Sequence, residues 1–428
     1  MNENDSERIA GSLIDGGAIP SDKIEDSDII IVNTCAVRQK SEEKLFSLLG
    51  RLRKMKQERP LTVGVVGCVA QLYRSQLFEK NPVIDFVLGP DNYWQIQNVL
   101  TSPSGEKIVA TAWNQTWHDV AFDKIRRESD SSAFVTIMEG CNNFCTYCVV
   151  PYTRGREKYR PASHILEEVR HLAQKNYAEI QLLGQNVNSY HDPVSGSTFD
   201  CLLQKVNDID GIQWIRFLTS HPKDLSDNIA RTMKESSKVC RQIHLPLQSG
   251  SSSILKKMNR GYTKEEYLDR IAMIRQYMPD VAFSTDVIVG FPGEEEKDFQ
   301  DSLAVLELVR FVNIFSFRYS PRPGTSAAHM KDSVAFDTKK RRLIELQALQ
   351  KKIQMENNTK LIGKNVAVLL TGRSKKDPRV YSGRNEAFQV VNFEAEAELK
   401  DRFVQVTITS CGPYSLRGKA CKDPAALS

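Results

Sequence analysis

"AFVTIMEGCNNFCTYCVVPYTRGRE", residues 133 to 157, joins an apolar run to a loop that carries three cysteines within eight residues. The run has the length and composition of a buried strand, and the loop follows its carboxyl end. Five more runs of this kind come after it: "EIQLLG", "WIRFLT", "RQIHLP", "VAFSTDVIVG" and "VNIFSFRYS". Helical stretches such as "ASHILEEVRHLAQKN" and "EEEKDFQDSLAVLELV" lie between them. Successive right-handed strand–helix units curl into a full or partial barrel, so residues 131–360 are expected to form one. The strands end in polar, Gly- or Pro-rich turns: "GCNNFC", "GQNVN", "SHPKD", "PLQSGS", "GFPGE" and "YSPRPGT". In such a barrel these turns gather at one mouth, where catalytic loops sit.

Residues 1–110 alternate shorter strands, "DIIIVNTCAV", "LTVGVVGCVA" and "VIDFVLG", with amphipathic helices, the pattern of a covered parallel sheet. Cys35 and Cys68 fall just past two strand ends, where open α/β sheets bind ligands. Residues 111–130 show little periodicity and are expected to link two domains. From residue 361 the period changes to two. "VAVLLTG", "AFQVVNF", "AEAELK" and "FVQVTIT" alternate, as at Val404, Val406 and Ile408, without helices between them. The expected fold class is α/β: a parallel-sheet N-terminal domain, a partial (β/α) barrel and a small C-terminal antiparallel β-barrel of the oligonucleotide-binding kind.

The composition of the 428 residues, 41% hydrophobic and 26% charged, is that of a globular protein and excludes fibrous or wholly disordered classes. No apolar run approaches the roughly 18 residues a membrane span needs, and "MNENDSERIAGS" lacks a signal peptide's apolar core. A cytoplasmic location without membrane contact is expected. In that compartment nine cysteines point to metal or redox chemistry more than to disulfides. The net charge is +5, and the last 68 residues hold eleven Lys and Arg against seven Asp and Glu. A basic terminal module suggests a polyanionic partner.

Cys141, Cys145 and Cys148 follow C-x3-C-x2-C with no fourth Cys and no His in the loop. A structural zinc site is closed by four ligands, and His164 falls on an expected helix. Buried thiols that bind nothing are the other alternative. Iron–sulfur clusters are held by thiolates, and three thiolates leave one iron of a four-iron cluster open for a substrate.

The motif resembles that of the radical S-adenosylmethionine (SAM) enzymes, in which the open iron is chelated by SAM and an electron from the cluster releases a 5′-deoxyadenosyl radical. With "NTCAVR", "GCVAQ", "LLGQNVNSY", "HLPLQSGS", "MNRGYT" and "TDVIVGFPGE", the chain is similar to the methylthiotransferases over nearly its whole length. The resemblance is strongest to those that modify isopentenylated adenosine beside the tRNA anticodon. It implies that residues 1–110 bind an auxiliary cluster, residues 131–360 are the radical SAM barrel and residues 361–428 are a TRAM RNA-binding domain. It further implies two 4Fe–4S clusters and SAM as cofactors. The expected partners are tRNA and an electron donor such as flavodoxin or ferredoxin, with the chain a monomer. The reaction implied is addition of a methylthio group at C2 of the isopentenyladenosine.

By the same resemblance Cys35 and Cys68 are auxiliary-cluster ligands, with a core role as the alternative. The family's first ligand precedes a methionine that matches Met1, so an incomplete ligand set is expected. With it goes a sheet lacking its first strand, left with an unpaired edge or a gap, and little methylthio product. Gly184, Gln185, Asn186, Ser249 and Gly250 are candidates to touch SAM, with turn or helix-cap roles as the alternative. Arg154, Arg156, Arg384, Arg417 and Lys419 are candidate RNA contacts. His221 reads as a structural histidine, "RLRKMK" (51–56) as a solvated helix face, and Cys201, Cys240, Cys411 and Cys421 as inert. Two alternatives stay open. One is a sibling enzyme acting on threonylcarbamoyl-adenosine tRNA or a ribosomal protein, and the other is a non-catalytic iron–sulfur tRNA-binding protein.

Overall fold

The computed structural model describes residues 1–421 except 38, 103–105, 115, 119–120, 375–376, 396–398 and 400–401. It divides into two compact units. The first comprises Met1–Glu128, Thr136–Arg160 and Ser320–His329; the second comprises Ser129–Val135, Pro161–Tyr319 and the chain from Met330 on. The cysteine loop therefore groups with the N-terminal sheet.

That sheet contains β1 (Ile29–Asn33), β2 (Thr62–Val66), β3 (Phe86–Leu88) and β4 (Ile108–Ala110), all parallel and in that order. Alternation directs its residues to two cores. Val63 and Val65 pack with Leu45, Leu49 and Leu52, the apolar stripe of the helix Gln39–Glu58. Val66, Phe86 and Leu88 pack with Ile9 of the helix Asn2–Asp15. Among the described residues the sheet is continuous: β1 pairs with β2 along all five residues and forms a half-exposed edge. Described residues of the expected linker, 111–130, hydrogen-bond within the first unit. Gln71 Nε2 donates to Thr111 O (3.0 Å), Asn92 Nδ2 to Ala112 O (2.9 Å) and the Arg126 N–H to Glu7 O (3.3 Å). These polar ties have no period, so the sequence shows none.

The barrel begins at β5 (Ser132–Thr136). A short antiparallel pair, β6 (Met138–Glu139) and β7 (Lys158–Tyr159), brackets the cysteine loop. The barrel then continues through β8 (Glu179–Leu183), β9 (Trp214–Phe217), β10 (Gln242–His244), β11 (Ala282–Val289) and β12 (Asn313–Arg318). Its strands lie in two arcs, β5-β8-β9 and β10-β11-β12, which a parallel bridge between Ile215 and Val239 connects. All six expected strands are present, as a partial barrel. The helix Phe336–Thr359 is fastened by side-chain amides: Gln350 donates to Phe311 O (2.8 Å) and Asn358 to Gly412 O (2.7 Å).

The C-terminal strands β13 (Asn365–Arg373), β14 (Tyr381–Asn385), β15 (Val390–Glu394), β16 (Phe403–Cys411) and β17 (Leu416–Ala420) close a barrel in the order β13-β14-β15-β17-β16. Val404, Val406 and Ile408 point inward as their alternation requires. One pairing, β15 with β17, is parallel. The run "AEAELK" lies largely outside the described residues.

Within the second unit Arg216 is buried against Glu179, its Nε 2.5 Å from Oε2. Its Nη1 and Nη2 donate to Glu386 O (2.5 Å) and Asn385 O (2.8 Å), between the rings of Trp214 and Phe388. One guanidinium thus joins two barrel strands to the end of β14. Arg216→Met is expected to destabilise the fold by about 3–5 kcal/mol, because Glu179 is left as a buried charge without its counter-ion. Urea unfolding checks this, with the exposed Arg417→Met, expected within about 0.5 kcal/mol of the parent, as the control.

Candidate metal centre

The three-cysteine loop is pinched at its base. Met138 pairs with Tyr159 and Glu139 with Lys158, and the Cys141 N–H donates to Gly155 O (3.1 Å). Gly140 lies there at φ +81°, where a Cβ would stand 2.1 Å from Arg156 O, so only glycine fits. Inside the loop, Phe144 takes the left-handed conformation (φ +46°) and the Cys148 N–H donates to Cys145 O (2.9 Å). Cys145 is buried, and Cys141 and Cys148 are half-buried. Burial pushes the Cys141 thiol up, and a neighbouring charge at Cys145 raises it further. A coordinating metal reverses that tendency by deprotonating the thiol outright.

Cys35 and Cys68 occupy equivalent places, each two residues beyond paired strand ends, since Asn33 pairs with Val66. The Thr34 N–H donates to Val66 O and the Val69 N–H to Thr34 O, both at 3.1 Å, which ties the two turns together. Cys35 is half-buried and Cys68 is 6% exposed. Gly67, before Cys68, sits at φ +87°, where a Cβ would stand 2.3 Å from Asn33 Oδ1. The helix Cys68–Tyr73 packs against the helix Val150–Thr153, which starts two residues after Cys148. The first unit thereby carries both sets of thiols. Among the described residues no three metal-capable side chains converge on a single-ion position. The loop supplies three thiols and no fourth Cys or His, one ligand short of a closed zinc site and the number that leaves one iron of a four-iron cluster open.

Arg154 does not lie on a surface that RNA can reach. It is 4% exposed and ion-paired with Asp5, which corrects its place among the phosphate contacts. Arg156 is exposed and stacks over the Phe144 ring at 5.0 Å. Arg384, Arg417 and Lys419 lie in strands rather than turns. Arg417 and Lys419 are exposed on β17 and alternate with the buried Leu416 and Gly418. Arg384, on β14, is half-buried, stacked on Phe388 and hydrogen-bonded to its carbonyl (2.9 Å), and burial lowers its pKa. Arg51 and Lys56 sit on the helix Gln39–Glu58 and pair with Glu25 and Asp85.

In the second unit the turns after β8 and β9 are laced together. Thr219 Oγ1 donates to Gly184 O (2.5 Å), the Val187 N–H to Thr219 O (3.1 Å) and Asn186 Nδ2 to Asp224 Oδ2 (2.7 Å). Gln185 is half-buried between them. Several buried polar atoms there have no partner: Asn186 Oδ1, both amide atoms of Asn188, Ser220 Oγ and His221 Nε2. These groups lie in and beside the polar turn where the sequence places candidate SAM contacts. Asn188, Ser220 and His221 were not candidates from sequence, although each lies in a polar turn after a barrel strand. Burial, then Arg260 and Lys223, lower the His221 pKa to about 2, so the ring is neutral, and its Nδ1 accepts from the Lys223 N–H (3.4 Å). Ser249 and Gly250 have local roles. The Ser249 hydroxyl accepts from the Ser251 N–H (3.2 Å), and a Cβ on Gly250 would stand 2.4 Å from Ser302 Cα. Of the remaining cysteines, Cys240 is buried and its thiol is pushed far up, Cys201 is exposed, and Cys411 and Cys421 are half-buried.

Family models match three stretches of the chain: the Radical SAM superfamily over residues 135–306, Uncharacterized protein family UPF0004 over 1–89 and the TRAM domain over 359–421. The tRNA-2-methylthio-N(6)-dimethylallyladenosine synthase of Dictyoglomus thermophilum is 46% identical over 99% of this chain and 97% of its own length. The synthase of the same name from Acetivibrio thermocellus is 44% identical over 98% and 88%. The solved structure of the radical S-adenosylmethionine methyltransferase TsrM from Kitasatospora setae, with cobalamin and a 4Fe–4S cluster bound, shares the fold at a TM-score of 0.54. That match has 12% identity over 76% of this chain and 70% of that one. The extent of identity to the two synthases, across nearly the full length of each pair, means that the chain belongs to the tRNA-2-methylthio-N(6)-dimethylallyladenosine synthase family of radical SAM proteins.

Proposed function

We propose that the chain adds a methylthio group to C2 of N6-isopentenyladenosine in tRNA, acting through Cys141, Cys145 and Cys148 on one cluster and Cys35 and Cys68 on another. The observation that carries this reading is the presence of both cysteine sets in one compact unit, with the Cys68 helix packed on the helix that follows Cys148. An aromatic C–H is not acidic, so no side-chain base of ordinary pKa removes it. Clusters on these thiolates, with SAM, would supply the radical and the sulfur. The protein's own contribution is position and exclusion of water. Asn186, Asn188, Ser220 and the neutral His221 offer hydrogen bonds to the polar groups of SAM, and Gly184 and Gln185 shape the same turn. Arg156 and the exposed Arg417 and Lys419 contact tRNA phosphates, while Arg384 supports the barrel beneath them. The electron comes from a donor of the flavodoxin or ferredoxin class, and the chain works as a monomer in the cytoplasm. No helix among the described residues is long and apolar enough to cross a membrane.

Replacing Cys141, Cys145 or Cys148 with Ala is expected to abolish reductive SAM cleavage, read as 5′-deoxyadenosine formed under dithionite. Wild-type yield from the triple variant would refute the cluster assignment.

Isopentenylated tRNA is expected to be a far better substrate than unmodified tRNA. Burying five carbons contributes a few kcal/mol, at about 0.8 kcal/mol per methylene-sized group. Equal turnover of the two would favour a sibling activity.

Arg417→Glu with Lys419→Glu should weaken tRNA binding and flatten its salt dependence by about two phosphate contacts, with SAM cleavage retained. Filter binding across a salt series measures this.

A further inference from the structure

The expected linker helps to form a cavity within the first unit. Residues 114 and 116–118 line it together with the turn Pro90–Gln95, Glu139 of β6 and Lys158 of β7. The enclosed space is about 20 Å³, room for one water-sized group. Two rings of the lining also meet solvent: Trp94, 39% exposed, and the exposed His118. They pack together with centroids 4.6 Å apart.

Most polar groups of the lining are engaged with one another. Asp91 is ion-paired with Lys158 and accepts from the Asn114 N–H (3.2 Å). Its carbonyl accepts from Asn114 Nδ2 (2.5 Å) and Trp94 Nε1 (3.0 Å). Glu139 is different. It is 7% exposed and lines the same cavity, yet among the described residues no group hydrogen-bonds to its carboxyl group.

A buried carboxyl group without a hydrogen-bond partner is unfavourable, and each such group calls for an explanation. A partner entering from the cavity must be small, because the enclosed space is, and must donate, because a carboxylate accepts. Lys158 at the same cavity disfavours a second cation. The aromatic wall of Trp94 and His118 suits a planar ring. An exocyclic amino group on a nucleobase meets all these conditions, being neutral, water-sized, a donor, and attached to a ring that stacks.

We infer that this cavity binds a nucleobase of the tRNA, its ring stacked at Trp94 and His118 and its amino group donating to Glu139. This rests on the proposed reading of tRNA as the substrate. The base is not the one that is modified, because N6 of that adenosine carries five carbons and the enclosed space admits one small group. Glu139 precedes Cys141 by two residues, which places the second base near the first, in the anticodon loop. Unpaired loop bases are free to be bound in this way.

The test measures binding of the full chain to isopentenylated tRNA by filter binding. Outside the modified position, each adenosine or guanosine of the anticodon loop is replaced in turn by inosine and each cytidine by uridine. These changes remove the amino group and keep the ring. One of them is expected to weaken binding to the wild-type chain about tenfold. The same change should weaken binding by about twofold or less in Glu139→Met, which removes the acceptor, and in Trp94→Ala. Trp94→Ala is itself expected to weaken binding about tenfold, and Trp94→Phe, which keeps a ring, to restore most of that. Trp94 is partly exposed, so its variants decide the matter even if Glu139→Met does not fold. No position that loses affinity, or a loss of the same size in the wild type and the folded variants, would overturn the inference while leaving tRNA the substrate. Failure of the wild-type chain to bind isopentenylated tRNA would overturn that reading, and the inference with it.

Discussion

The two-stranded neck formed by β6 and β7 is the constraint on which the cysteine loop depends. Three thiols in eight residues are of use only if the loop has a fixed base. The base is made by backbone: the β6–β7 pairs, the bond from the Cys141 N–H to Gly155 O, and a glycine at position 140 where any side chain would strike Arg156 O. Glu139 and Lys158 face each other across it, and Lys158 pairs with Asp91 in the turn after β3. The same neck sets the exit of the helix Val150–Thr153, and so determines what Arg154 meets.

Chemistry and packing are separated along the chain. Apolar alternation builds the two faces of the N-terminal sheet and the inside of the C-terminal barrel, while the reactive groups are held on turns at strand ends. Cys35 and Cys68 follow β1 and β2, Cys141 follows β6, and the unsatisfied polar atoms of Asn186 to His221 follow β8 and β9. Buried polar groups call for hydrogen-bond partners, and the laced turns after β8 and β9 hold several whose partners lie outside the protein chain's own hydrogen bonds.

Much of this was legible in the sequence because barrel strands are short apolar runs bounded by Gly, Pro and polar residues, and each of the six runs became a strand. The elements that escaped are those without a period. Three residues of β4 cannot announce a strand, and β14 and β17 place Ser, Gly, Arg and Lys where alternation would look for Val or Ile. Residues 111–130 read as a linker because the ties of described residues there, such as Thr111, Ala112 and Arg126, are polar and follow no apolar stripe. Arg154 was misplaced for a different reason. Proximity to the loop suggested an exposed phosphate contact, but its environment is set by Asp5, 149 positions away, which no local pattern reveals.

The most direct test is made in cells. The chain is expressed in a bacterial strain that isopentenylates its tRNA but lacks its own methylthiotransferase, and the tRNA nucleosides are weighed by mass spectrometry. Conversion of at least a small part of the isopentenyladenosine to its 2-methylthio derivative, lost when Cys141, Cys145 or Cys148 is changed to Ala, is the predicted result. Isopentenyladenosine left wholly unconverted, with the chain present and loaded with iron, would contradict it.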